Sequence, residues 1–142
     1  MLTRLREIVE KVAAAASLTD ALDLLVNETC LAMDTEVCSI YLADNDRRCY
    51  YLMATRGLKK PRGRTIALAF DEGVVGLVGR RAEPINLADA QSHPSFKYVP
   101  QVKEDRFRSF LGVPIIHRRQ LLGVLVVQQR ELRQFDESEE SF

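Results

Sequence analysis

The sequence predicts an α+β domain in which helices flank a central, mostly antiparallel sheet of about five to six strands. Three observations predict it. From Ser109 to Val127, two apolar runs rich in β-branched residues flank the polar connection His117-Arg118-Arg119-Gln120, the pattern of a hairpin whose strands are covered on both faces. Val37 to Leu42 and Cys49 to Ala54 are two further strand-like runs, separated by the turn formers Asp44-Asn45-Asp46-Arg47, and they read as adjacent antiparallel strands. Before them the apolar residues recur at three and four, the period of a helix.

Taken in order, Leu2, Leu5, Ile8, Val9 and Val12 predict a short amphipathic helix whose heptad-like seam faces either the core or a second subunit. Ser17 with Asp20 three residues on predicts the start of a second helix, whose buried face carries Leu22, Leu25, Val26, Thr29 and Met33. After the first strand pair, Lys59 to Arg64 is a basic loop, read as solvated, and Thr65 to Phe70 a short strand. Asp71-Glu72-Gly73 introduces a third helix over Val74 to Arg81, with acids before it and arginines at its end as the helix dipole favours.

Residues 82 to 108 are the least regular part. Pro84, Pro94 and Pro100 interrupt them, and Phe96, Tyr98 and Phe107 are interspersed, a composition that in a compact domain often marks a functional segment. Pro114 lies inside an otherwise buried strand and has no N–H to donate, so a local opening of the sheet is expected there, with Phe110 as a pocket wall. Asp136 with Glu139 three residues later announces another helix that stops at Phe142. The expectation is a single domain over residues 1–142 with its final helix truncated, a fragment of a longer polypeptide.

Twenty basic residues balance twenty acidic ones, so the field that would attract nucleic acid or an anionic membrane is missing. No apolar run reaches the length of a signal or membrane segment, which places the expected location in the cytoplasm. Cys30, Cys38 and Cys49 form no CxxC pair and read as reduced thiols. No glycine-rich phosphate loop is followed by Lys-Ser/Thr, and neither His93 nor His117 has partners at metal or triad spacing. No catalytic residue, metal or cofactor is therefore assigned.

What remains is the chemistry of a binding pocket. Gly73, Gly76 and Gly79 recur at three along a helix, which fits close packing against the sheet, and the free N–H groups around Gly73 to Val75 also fit an anion site. Arg56 follows a strand and is placed to clamp a carboxylate. Asn86, Asp89, His93, Phe96, Tyr98, Arg106, Phe107 and Phe110 supply polar groups and apolar walls together. The candidate ligand-binding set is thus Arg56, Phe70, Val74, Val75, Asn86, Asp89, His93, Phe96, Arg106, Phe107 and Phe110. An amino acid would use an arginine or helix N–H groups for its carboxylate, Asp89 for its ammonium, and the aromatics as a shape filter.

Ser109, Val113-Pro114-Ile115, the polar turn and Leu122-Gly123-Val124-Leu125 resemble the signature of GAF domains, small modules used mostly as ligand sensors. Further runs narrow the resemblance: Leu31 to Leu42, Tyr51 to Leu58, Phe70 to Gly73, Pro84 to Ala90, His93 to Tyr98 and Phe110 to Gln129. Over its whole length the chain is similar to the N-terminal GAF domain of enzyme I of the nitrogen-related phosphotransferase system, a phosphoenolpyruvate-protein phosphotransferase family. That resemblance implies a regulatory domain, not itself catalytic, whose small-molecule ligand controls autophosphorylation by catalytic domains of the same polypeptide, with glutamine the leading candidate. Two alternatives stay open. One is a ligand-free interaction module that forms a homodimer through the terminal helices. The other is a GAF-type free methionine sulfoxide reductase, although Cys38 and Cys49 on strands and Cys30 on a helix do not match the cysteine arrangement of that family.

Overall fold

The computed structural model describes residues 17–58, 66–90, 107–131, 133–136 and 140. Helix α1 spans Leu18–Met33, strands β1 and β2 Val37–Asp44 and Cys49–Arg56, and β3 Ala67–Ala69. Helix α2 (Gly73–Arg81) follows, then β4 (Ile85–Leu87), β5 (Ser109–His117) and β6 (Gln120–Gln129). The strands form one sheet in the order β3-β2-β1-β6-β5-β4, antiparallel at every junction. The expected fold class is the observed one.

α1 begins where its cap predicts. Ser17 is extended and its Oγ accepts the Asp20 N–H at 3.1 Å, satisfying one of the free donors of the first turn. At the other end Asp34 turns left-handed (φ 52°) and donates its N–H to the Cys30 and Leu31 carbonyls. The helix lays Val26, Cys30 and Met33 on one face of the sheet, against Cys38, Ile40, Ala54, Leu111, Val127 and Phe135. The opposite face packs Val37, Tyr41, Tyr50, Leu52, Phe110, Val124 and Val126 against Val74, Val75 and Val78 of α2, with Leu58, Ile66, Ala90 and Phe107 in the same cluster. Successive side chains alternate faces along a strand, so one sheet supplies both cores.

An interruption of that alternation matters for the site. Ile40 pairs with Ala54 but Tyr41 with Leu52, which leaves Met53 as an extra residue in β2. Tyr50 and Leu52 therefore face α2 while Ala54, two residues on, faces α1.

Pro114 does not open the sheet. β4 pairs with β5 only from Phe110 to Gly112, so beyond Gly112 β5 has β6 on one side and no strand on the other. An edge of this kind is where proline is tolerated, and Pro114 keeps its register with Val124. The hairpin is buried over its first half only, since Ile116 is 47% exposed. Its tip is a two-residue turn with Arg118 and Arg119 both left-handed (φ 51° and 65°), the geometry that matches strand twist but costs a non-glycine residue roughly 1–2 kcal/mol. Strand β4 was not anticipated within the irregular stretch. The first amphipathic helix and the basic loop lie outside the described residues. In the final segment, the Glu140 N–H donates to the Asp136 carbonyl at 3.0 Å.

Candidate functional site

Beside the Tyr41 and Tyr50 phenols, the mostly apolar α2 face of the sheet carries the polar side chains of Ser39, Thr55 and Gln128. Ser39 is fully buried and lies 2.8 Å from the Thr55 hydroxyl, its cross-strand partner on β2. Gln128 on β6 is 2% exposed and pairs in register with Val37 on one side and Phe110 on the other, both members of the α2-side core. The two hydroxyls satisfy each other, whereas the Gln128 amide has no hydrogen-bonding partner among the described residues. A buried primary amide without partners carries a desolvation cost of about 1–3 kcal/mol, which a ligand able to donate and accept would remove.

Phe110 walls this region. Its ring lies across Gly112, where a Cβ would sit 2.7 Å from the ring edge and 2.8 Å from Val78, so glycine at 112 lets ring and helix close together. α2 begins at Gly73 (φ 65°) after Glu72, whose Oε1 accepts the Ala69 N–H at 2.9 Å instead of capping the helix. No side chain caps the first N–H groups of α2, around the buried Val74 and Val75, and they remain suited to an anionic group. Gly76 and Gly79 have packing roles: a Cβ at Gly76 would meet the Phe70 carbonyl at 2.6 Å, and one at Gly79 the Tyr50 hydroxyl at 1.8 Å.

The irregular segment is tied at its neck. The Ala90 N–H donates to the Arg108 carbonyl at 2.6 Å, Asp89 Oδ2 lies 3.8 Å from Arg108 Nη2, and the Arg108 N–H continues into the Gln129 carbonyl at 2.9 Å. Both ends of the segment between them therefore meet beside the last residues of β6, close to Gln128. His93, Phe96, Tyr98 and Arg106 lie outside the described residues, while Phe107 is buried in the α2-side core.

Three candidates are placed elsewhere. Arg56 follows Ala54 to the α1 face, where its Nη1 donates to the Asn27 carbonyl at 3.2 Å, so it is not an inward clamp. Asn86 spends its amide on the backbone of Phe135, donating to the carbonyl and accepting the N–H at 3.2 Å, and so anchors the chain after β6. Phe70 lies at the turn end of the sheet, stacked 4.8 Å from Tyr50. Ser39, Thr55 and Gln128 were missed; Ser39, a lone polar residue inside an apolar strand run, carried a signal that could have found it, whereas Thr55 and Gln128 stand at run ends beside other polar residues.

Two of the three thiols are poor nucleophiles. Cys30 on α1 and Cys38 on β1 lie in the α1-side core, across the sheet from the site, and burial pushes both above their ordinary range. For Cys30, the Thr35 hydroxyl and Arg56 oppose that shift only in part. A thiol held protonated is inert. Among the described residues no cluster of histidine, cysteine or carboxylate side chains is built to hold a metal ion.

Comparison with known proteins agrees with this architecture. The family model for GAF domains matches residues 17–142. A curated relative from Salmonella typhimurium, described as a phosphoenolpyruvate-dependent phosphotransferase system protein, is 84% identical across the whole chain, which spans 19% of that relative's length. The solved GAF domain of a phosphoenolpyruvate-protein phosphotransferase from Coxiella burnetii is 47% identical with a TM-score of 0.91, the match covering 99% of this chain and 83% of that one. The corresponding Acinetobacter domain is 44% identical with a TM-score of 0.87 and the same two shares. With its antiparallel sheet, its two covering helices and a family match that extends from the cap of α1 to the last residue, this chain belongs to the GAF domain family.

Proposed function

We propose that this chain is the ligand-sensing regulatory domain of a phosphoenolpyruvate-protein phosphotransferase and binds a small nitrogen metabolite, glutamine first among the candidates, on the α2 face of its sheet. The observation that carries the reading is Gln128, a buried amide without a described partner on an apolar face that also bears the Ser39 and Thr55 hydroxyls. A primary amide pairs with a second primary amide through two complementary hydrogen bonds, the match that a glutamine side chain offers. The uncapped start of α2 suits the carboxylate of an amino acid. Binding on this face would favour one arrangement of the domain and so bias autophosphorylation by phosphoenolpyruvate elsewhere in the polypeptide. In this reading the domain works in the cytoplasm, where its three free thiols stay reduced.

Calorimetric titration with glutamine, glutamate and 2-oxoglutarate tests the binding step. Saturable heat with glutamine, lost in Gln128→Leu, is expected, and no heat with any of the three overturns the reading. Phosphotransfer from phosphoenolpyruvate in the longer polypeptide, measured with and without glutamine, tests the regulatory step, which fails if the rate is the same in both.

A further inference from the structure

At the turn end of the sheet a groove of about 450 Å3 opens between Arg48, Tyr50, Phe70, Asp71, Arg80 and Leu121. That volume lies within the range of small-molecule sites, roughly 300–1,000 Å3. The floor is aromatic, with the Tyr50 and Phe70 rings 4.8 Å apart and tilted by 47°. Phe70 holds both guanidinium groups. Arg48 lies over its ring, 5.6 Å from the centroid, and Arg80 Nη1 donates to its carbonyl at 2.8 Å.

Neither arginine forms an ion pair with a described carboxylate, and Asp71 is the one acid in the lining. Each guanidinium keeps most of its N–H donors for a visitor, in a fork that fits phosphate and carboxylate oxygens. The backbone gives a second, independent observation. Arg48 adopts a left-handed φ of 53° at a turn position that glycine or asparagine fills at lower cost, so a long cationic side chain is present there against the local preference. Tyr50, whose hydroxyl occupies the space a side chain at residue 79 would need, fixes the floor in place.

We propose that this groove is a second ligand site, separate from the Gln128 face, and that it binds a small organic anion. The phosphate or carboxylate sits between Arg48 and Arg80, and an apolar portion rests on Phe70 and Leu121. This end of the molecule carries further cations, Arg47 in the same turn and Arg118 and Arg119 at the adjacent hairpin tip, which strengthen the field toward an approaching anion but do not line the groove.

The test is titration of the 142-residue chain with phenyl phosphate followed by amide NMR, with inorganic phosphate and benzyl alcohol as comparison probes. Saturable shifts at Phe70, Gly79, Arg80 and Leu121 are expected, with both comparison probes at least about tenfold weaker, the counterpart of about 1.4 kcal/mol. Arg48→Gln and Arg80→Gln should each weaken phenyl phosphate at least about tenfold, and Arg118→Gln less than about twofold because its field is screened at moderate salt. All three positions are exposed, so unchanged spectral dispersion checks that the variants fold. No saturation at these residues, equal binding of inorganic phosphate (an adventitious ion only), an equal loss in Arg118→Gln, or shifts confined to the Gln128 side each overturn the proposal. Glutamine titration reads the Gln128 face independently, so the two sites succeed or fail separately.

Discussion

The two faces of the sheet differ in how they are closed. The α1 face lies under a sixteen-residue helix capped at both ends, and its core includes two thiols whose burial keeps them protonated. The α2 face lies under a nine-residue helix with no side-chain cap, three glycines and a buried amide with no partner among the described residues. Under the proposed function, stability and recognition fall on opposite sides of one set of strands. Alternation along each strand allows this, because a residue on one face leaves its neighbour free for the other.

Substitutions sharpen the contrast, beginning with the largest effect. Leu111→Ala removes a 1% exposed side chain from the α1-side core and should destabilise by about 2–5 kcal/mol in urea unfolding. Gly79→Ala on the other side forces Tyr50 out of its seat and should cost about 1–3 kcal/mol, despite alanine's better helix propensity. Raising pH acts through buried groups on both faces: Cys30 and Cys38 on the α1 side and, at higher pH, Tyr50 on the α2 side, whose phenol is also pushed up by burial. The folded pKa values of Cys30 and Cys38 lie above the unfolded value near 9, so above that pH only the unfolded chain releases these protons, and stability falls with rising pH. Each thiol contributes a slope approaching about 1.4 kcal/mol per pH unit, and Cys38→Ala should flatten the profile measured from pH 8 to 10.5.

Ser17→Ala deletes the cap of α1 and should lower stability by about 1 kcal/mol, read as a shift in thermal midpoint. The smallest effect is the most diagnostic. Gln128→Leu exchanges an unpartnered amide for a side chain of similar shape, and its stability change should lie within about 1 kcal/mol of zero or be favourable. A large loss there would mean that the amide is structural, and the functional contrast between the faces would fail.

Much of this was legible in the sequence, and the exceptions have physical causes. The hairpin and α1 are long and strongly periodic, and Ser17 starts the helix as expected. β4 is three residues held at an edge by its pairing with β5, too short to impose a pattern. Arg56 was read as able to turn inward because it directly follows a strand run, but with the bulge at Met53 it goes with Ala54 to the α1 face. Asn86 is polar and near the site, but a primary amide also imitates a peptide group, and here it serves the backbone of Phe135. Gln128 ends an apolar run and is followed by Gln129 and Arg130, so composition does not say which of these polar residues turns into the core.

The Asn86 clamp has a mechanical consequence. Its single amide grips both the donor and the acceptor of one peptide-bearing residue, so a sideways pull on β4 cannot break one bond and keep the other in good geometry. Both release together, exposing paired polar groups at once. Such a joint behaves as a catch, not a spring: strand β4 and the chain leaving β6 travel as one body up to a threshold and separate beyond it.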